Sequence, residues 1–241
     1  MAPFVSADFA GIDTPWSAPG TGRGSPPKGE HSSSPESESA AVDQAALHRW
    51  SRAVLGHDHE TAEHLGRISH LAALVATHHG LSRSDVELIR AAATLHDIGK
   101  IAIAESILNK PGPLDAAEWE LVKQHPVIGA ELLDGALSPL LCCAQEIALS
   151  HHERWDGSGY PHGLRGAAIP LSARIVMLCD QYDALRSIRP YKPSFDHPTA
   201  CQILLHGDER TRPEHFDPRL LALFERIHPR LEALWGRLTA T

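Results

Sequence analysis

The sequence predicts an all-α fold, on three observations. Hydrophobic residues make up 42% of the 241 residues but aromatic residues only 5%. Ala- and Leu-rich stretches repeat their apolar residues with helical spacing. Residues that cap and end helices separate these stretches. We therefore expect a helical bundle, and the residues at each helix boundary predict its elements in order.

The chain begins with a segment rich in Pro, Gly, Ser and acidic residues. Such a composition buries too little apolar surface to offset the entropy lost on ordering. We predict a disordered tail over residues 1–40, a domain over residues 46–230, and the end of a helix or a tail over residues 231–241.

The first predicted helix covers residues 60–79, where apolar residues recur on one face from Leu65 to Val75. Gly80 ends it. A second helix is predicted to begin at Ser84, with Glu87 three residues later as a capping box, and to run to His96-Asp97. Gly99 is predicted to end this second helix.

Later helices have their own boundary signals. Asp115 and Glu118 predict a helix that continues toward His125, followed by a helical segment over residues 127–133. Apolar helices are predicted over residues 140–152 and 172–185. Asp217-Pro218 predicts an N-cap with proline at the first helical position of a last helix.

Charge and composition exclude several classes of protein. The net charge of −8 argues against a DNA- or RNA-binding surface, which needs a basic stripe. The sequence contains neither a secretory signal nor a run of about 20 apolar residues, so we expect a cytoplasmic protein without a membrane span. The four cysteines show neither zinc-knuckle nor disulfide-framework spacing; they are Cys142, Cys143, Cys179 and Cys201.

The 17 histidines invite a search for metal ligands. Glu60 and His64 lie four apart on one helix face, where they would be two metal ligands or an ordinary solvated pair. His96-Asp97 follows an apolar run and would be metal ligands, with Asp97 bridging two cations, or a helix C-cap.

Further candidates lie in the second half of the chain. His151 and His152 point about 100° apart on a helix and could serve two metals, or a metal and a phosphate. Asp180 follows an apolar run, where a carboxylate is costly unless it is paired or binds a cation. Asp183 would orient a ligand or be a surface acid. A lone histidine such as His125 is more often structural or exposed than a metal ligand.

Three cations accompany these residues. Lys100 would hold a phosphate oxygen as a point charge, and Arg189 and Lys192 follow the helix of Asp180. As isolated residues they would be ordinary surface cations. Cations beside an acidic metal site instead indicate an anionic substrate.

Taken in order, these elements closely resemble the HD-GYP family, a bacterial branch of the HD superfamily of metal-dependent phosphohydrolases. The most specific element is the motif from His151 to Pro161, with sequence HHERWDGSGYP. The resemblance implies an all-helical signal-transduction domain that hydrolyses cyclic di-GMP to linear pGpG or GMP. It also implies two or three divalent metals, commonly iron or manganese.

The resemblance assigns a role to each candidate residue. Asp97 and Lys100 are the expected catalytic residues. Lys100, Arg189 and Lys192 resemble a phosphate clamp, and Gly159, Tyr160 and Pro161 resemble a loop on the substrate side that also contacts partners. The implied metal ligands are Glu60, His64, His96, Asp97, His125, His151, His152 and Asp180.

Two alternatives stay open. In the first alternative, the chain hydrolyses another nucleotide, such as cyclic GMP-AMP, a deoxynucleoside triphosphate or an alarmone. In the second alternative, the chain is a signalling module that binds a diguanylate cyclase or a motility protein through the Gly159-Tyr160-Pro161 loop.

Overall fold

The computed structural model describes residues 62–135, 138–188 and 194–240. Within these ranges the protein contains α-helices and 3₁₀ helices and no β-strand, which confirms the predicted all-α class. The predicted tail at residues 1–40 lies outside the described residues. So do Glu60, Arg189 and Lys192.

The α-helices are α1 (Ala62–His79), α2 (Arg83–Ala92), α3 (Glu105–Leu108), α4 (Ala116–Val122), α5 (His125–Leu132), α6 (Pro139–Ser150), α7 (Leu171–Arg186), α8 (His197–His206) and α9 (Pro218–Thr239). The 3₁₀ helices are Ala93–Leu95, Ile98–Ala102, Gly166–Ala168 and Pro213–His215. None of the helices in the described ranges is both long and apolar enough to cross a membrane.

Helix α1 lies at the centre of the bundle. It packs against α2, α7 and α9, and its apolar side chains are buried on most of its surface. A helix that is apolar on most sides is stable only when other helices surround it. The first turns of α1 therefore lie inside the protein, and they bring His64 into the interior.

Helix α9 closes the bundle over α1 and α8. Its buried residues recur three and four apart; they are Leu220, Leu223, Phe224, Ile227, Leu231 and Leu234. Residues 231–239, which were predicted as the end of a helix or a tail, form its last turns, and Leu231 and Leu234 belong to the same core. The ordered core therefore extends past residue 230.

Helix-capping residues explain most boundaries, with one correction. Asp115 and Glu118 form a capping box, and Asp217 caps α9 with Pro218 in its first turn, both as predicted. The predicted capping box at Ser84 and Glu87 is wrong. The N-cap is instead Ser82, two residues earlier, whose side chain accepts a hydrogen bond from the backbone N–H of Asp85.

Two further boundaries differ from the prediction. Helix α2 ends at Ala92, and the chain continues in 3₁₀ geometry, so His96 and Asp97 lie between two 3₁₀ helices. Gly99 lies within the second of these and permits close packing: an added Cβ would lie 1.9 Å from the backbone oxygen of His125. The helix that starts after Asp115 ends at Val122, and His125 begins a separate helix, α5. Pro126 is tolerated there because it lies in the first helical turn.

Candidate metal centre

Five histidines and two aspartates from distant parts of the chain meet in one region of the bundle. Their donor atoms form two groups, and within each group these atoms lie within 4.8 Å of one another. One group contains Asp97, His125, His151 and His152, and the other contains His64, His96 and Asp180. The structure therefore brings together every predicted metal ligand that lies within the described residues.

Asp97 lies between the two groups. Its Oδ1 atom lies 2.9 Å from Nε2 of His125 and 3.3 Å from Nε2 of His151. Its Oδ2 atom lies 3.2 Å from Nε2 of His96 and 2.8 Å from Nζ of Lys100. One buried carboxylate thus presents an oxygen to each side, as a ligand shared by two cations would.

Hydrogen bonds to the backbone fix which ring nitrogen faces the centre. The Nδ1 atoms of His96, His125 and His151 lie 2.9, 2.7 and 3.0 Å from the backbone oxygens of Ala93, Val122 and Ala148. A carbonyl oxygen only accepts, so each Nδ1 carries the proton and each Nε2 presents a lone pair to the centre.

This arrangement fits bound cations. The Nε2 atoms of His125 and His151 lie only 3.4 Å apart, and both lie close to the same carboxylate. Lone pairs and a negative charge that face one another repel unless a cation lies between them. Imidazole and carboxylate are ligands that first-row divalent metals accept. The donor set and its orientation therefore suit a metal centre.

Burial keeps two of the candidate ligands in the form that binds metals. Desolvation lowers the pKa of His151 despite its contact with Asp97. The pKa of His152 lies well below its usual value, first because of burial and then because of the neighbouring His151. Both imidazoles are therefore neutral near pH 7 and available as ligands.

Asp183 orients His64 from behind. Its Oδ2 atom accepts a hydrogen bond from Nδ1 of His64 at 2.8 Å, so Nε2 of His64 faces Asp180, 3.8 Å from its Oδ1. Arg67 and Trp235 also donate to the buried Asp183 carboxylate. Burial alone would raise the pKa of Asp183, but the hydrogen bonds from His64 and Arg67 lower it below its usual range.

The Gly159-Tyr160-Pro161 loop packs against the same centre. The Tyr160 ring stacks on the His152 ring with centroids 4.7 Å apart and planes at 26°. Gly159 lies against the preceding backbone, since an added Cβ would be 2.3 Å from the nitrogen of Arg154. This contact requires glycine and fixes Tyr160 beside His152.

The buried carboxylate of Glu153 holds the far side of this loop. It accepts hydrogen bonds from the backbone N–H groups of His162 at 2.7 Å and Leu164 at 2.9 Å. Sequence reasoning missed this role. A glutamate after two histidines carries no signal that separates a loop anchor from a ligand or a surface acid.

Trp119 was also missed as a site residue. It lies on α4, 46% exposed, and its ring meets the edge of Tyr160 with centroids 6.2 Å apart. His152, Tyr160 and Trp119 therefore form a row of rings that leads from the metal centre to solvent. The sequence carried no signal for this role, because the exposure of Trp119 and its contact with Tyr160 both depend on how the chain packs.

Comparisons with known proteins agree with this geometry. A model of the HD domain family matches residues 39–220. The chain is 45% identical over 197 residues to the cyclic di-GMP phosphodiesterase response regulator RpfG of Xanthomonas campestris, covering 82% of this chain and 51% of that protein. It is 40% identical over 177 residues to the 3'3'-cGAMP-specific phosphodiesterase 2 of Vibrio cholerae, covering 73% and 33% respectively.

The chain thus spans about half or less of the length of these curated relatives. Among solved structures, Bd1817, an HDG"Y"P protein from Bdellovibrio bacteriovorus, matches with a TM-score of 0.52 at 20% identity, covering 79% of this chain and 64% of that one. This likeness supports the fold alone. The family match over most of the chain confirms the predicted resemblance, and the chain belongs to the HD domain family.

Proposed function

We propose that the chain is a metal-dependent phosphodiesterase that hydrolyses cyclic di-GMP to linear pGpG, GMP or both. The observation that carries the proposal is the convergence of five imidazoles on the two oxygens of Asp97 and on Asp180. The relatives named as cyclic di-GMP phosphodiesterases support the choice of substrate.

The residues that would hold the metals follow from the two groups. Asp97 would be shared by two metals. His125, His151 and His152 would bind one of them, and His64, His96 and Asp180 would bind the other. Glu60 is proposed for a third metal and lies outside the described residues. Iron or manganese is proposed because nitrogen and oxygen donors suit both. Bound there, such metals lower the pKa of water toward neutrality and polarise a phosphoryl oxygen.

Lys100 is proposed to bind the phosphate. Its ammonium lies 2.8 Å from Asp97 Oδ2, and its side chain is only 17% exposed, so it faces the centre. A charge held at this position can bind a non-bridging phosphate oxygen of the substrate. Arg189 and Lys192 are proposed as further phosphate contacts outside the described residues.

In the reaction, water adds across one bridging bond between phosphorus and the 3′ oxygen. The bond breaks and leaves a 5′ phosphate and a 3′ hydroxyl, which is linear pGpG. Lys100 would neutralise charge on the phosphate as it develops. The rings of Tyr160 and Trp119 lie next to each other, and we propose that a guanine base of the substrate stacks on this aromatic surface.

The test is turnover by protein loaded with iron or manganese. Purified chain, loaded once with and once without oxygen, is incubated with cyclic di-GMP, and the products are separated by chromatography. We expect pGpG or GMP from the loaded protein and none from the His125→Ala variant. Absence of product under both loading conditions would overturn the proposal.

A second candidate substrate is 3'3'-cyclic GMP-AMP, because three relatives that are 36–40% identical are named as specific for it. Competition between equal amounts of the two cyclic dinucleotides would rank them. A deoxynucleoside triphosphate or an alarmone as the added substrate tests the remaining hydrolase alternative.

A partner and a location are proposed on the resemblance alone. The Gly159-Tyr160-Pro161 loop would contact a diguanylate cyclase or a motility protein, and the protein would act in the cytoplasm. Replacing His96 and Asp97 together by alanine should abolish turnover while leaving capture of such a partner intact. Loss of both together would instead indicate that the metal centre supports the partner surface.

A further inference from the structure

A second set of metal-binding side chains lies between α8 and α9, away from the centre described above. His197 and Cys201 are one turn apart on α8, and His228 and Glu232 are one turn apart on α9. Residues four apart share a helix face, so each helix presents two donors. The donor atoms of His197, Cys201 and His228 lie within 4.8 Å of one another.

The Nε2 atom of His197 is the meeting point. It lies 2.8 Å from Nδ1 of His228, 3.5 Å from Sγ of Cys201 and 3.7 Å from Oε2 of Glu232. Ligands of tetrahedral zinc, at about 2.0–2.3 Å from the metal, are about 3.3–3.7 Å from one another. The distances from Nε2 of His197 to the thiol and to the carboxylate fit this geometry, and the two rings would separate by about half an ångström. The carboxylate does not lie within 4.8 Å of every other donor, so the half-exposed Glu232 side chain would rotate to complete the set.

A hydroxyl group orients His197 within this cluster. The Tyr182 hydroxyl lies 2.8 Å from Nδ1 of His197, and Arg186 donates a hydrogen bond to that hydroxyl at 3.0 Å. A polar group on Nδ1 holds the ring so that Nε2 faces the other donors. His197 and Cys201 are buried, but the Glu232 side chain is 50% exposed, which gives an ion a route from solvent.

We propose that His197, Cys201, His228 and Glu232 form a structural zinc site that fastens α8 to α9. Four protein ligands that include a thiolate are typical of closed structural zinc sites. Among the metal-competent clusters of the described residues, this one alone contains sulfur. The proposal does not depend on the hydrolase function.

Cobalt(II) distinguishes this site from the histidine–aspartate centre. Cobalt occupies tetrahedral zinc sites, and cobalt bound to a thiolate absorbs in the near ultraviolet through sulfur-to-metal charge transfer. The 241-residue chain, stripped of metal with a chelator, is titrated with Co²⁺. We expect this absorption to appear, to level off at the intensity of one thiolate-bound Co²⁺ per chain, and to disappear when Zn²⁺ is added.

Matched variants assign the absorption to its ligands. Cys201→Ser and His228→Gln should each lose it, and total bound metal should fall by one equivalent. Cys142→Ser, the same change at an exposed cysteine on α6, should keep it, as should His125→Ala in the other centre. No absorption in the unaltered chain, or absorption that survives Cys201→Ser, would overturn the proposal and leave a hydrogen-bonded histidine pair.

Discussion

The two histidine clusters are built in different ways. The centre around Asp97 takes its donors from five separate stretches of the chain between His64 and Asp180, and backbone carbonyls orient three of its rings. The cluster between α8 and α9 takes its donors from two helices, and the Tyr182 hydroxyl orients its central ring. The first depends on the packing of the whole bundle and the second on α8, α9 and the adjoining end of α7.

This difference indicates what each cluster tolerates. A backbone carbonyl cannot be removed by a side-chain substitution, so ligand orientation around Asp97 is fixed wherever the helix ends are fixed. The cluster at His197 depends on a hydroxyl that one substitution removes. Changes at one cluster should therefore leave the other intact, and Asp97→Asn, Asp183→Asn and Tyr182→Phe test this independence.

The largest expected effect follows from Asp97→Asn. This carboxylate faces both donor groups, so its replacement should lower the rate of cyclic dinucleotide hydrolysis at least about 1000-fold, or roughly 4 kcal/mol of barrier. The cobalt–thiolate absorption at the other cluster should be unchanged. Asp134→Asn, at an exposed aspartate, is the control and should retain full activity. More than a tenth of the activity remaining in Asp97→Asn would contradict the assignment.

Gly99→Ala should produce the next largest effect, on stability. The added Cβ would lie 1.9 Å from the backbone oxygen of His125 and 2.5 Å from the nitrogen of Gly129, so backbone must move. We expect the free energy of unfolding to fall by about 3 kcal/mol or more, measured by urea denaturation.

The matched control is Gly236→Ala in α9, where nothing lies within 4 Å of the added Cβ. It should raise the free energy of unfolding by about 0.5–1 kcal/mol, because alanine favours helix over glycine. If the free energy of unfolding fell by a similar amount in both variants, the close contact between Gly99 and the α5 backbone would not be the cause of the loss.

Asp183→Asn and Tyr182→Phe compare the two orienting groups directly. Asp183→Asn removes the charge of the carboxylate that accepts from Nδ1 of His64, and Tyr182→Phe removes the hydroxyl beside Nδ1 of His197. Mutation of such a partner weakens metal binding by about 10–100-fold. Asp183→Asn should weaken Mn²⁺ binding measured by calorimetry, and Tyr182→Phe should weaken the cobalt titration. If either variant affected both titrations equally, the two clusters would be coupled.

The smallest expected effect is at the surface of the site. Trp119→Ala removes an exposed ring beside Tyr160. Stacking of one base on an aromatic ring contributes about 1–3 kcal/mol, and we expect the low end for a half-exposed ring. We expect KM for cyclic di-GMP to rise about 5–10-fold while kcat stays within twofold. Leu121→Ala, an exposed apolar residue of the same helix, should leave both constants unchanged.

Sequence periodicity was sufficient for the helices because it is a local property. Asp115, Glu118 and Asp217 marked helix starts correctly. Sequence periodicity failed where long-range packing determines the backbone. Helix α2 ends at Ala92, before the predicted end, and Gly99 is needed because the backbone of α5 approaches it closely.

Sequence alone likewise determined which donor types the chain offers and, through the motif from His151 to Pro161, the family to which it belongs. Only the tertiary structure decided that Asp97 lies between two donor groups, that Asp183 orients His64, and that Cys201 meets histidines instead of another cysteine. Spacing along a chain fixes which side chains share one helix face. Which faces meet depends on how the helices pack, and more than one helix supplies the donors of each cluster.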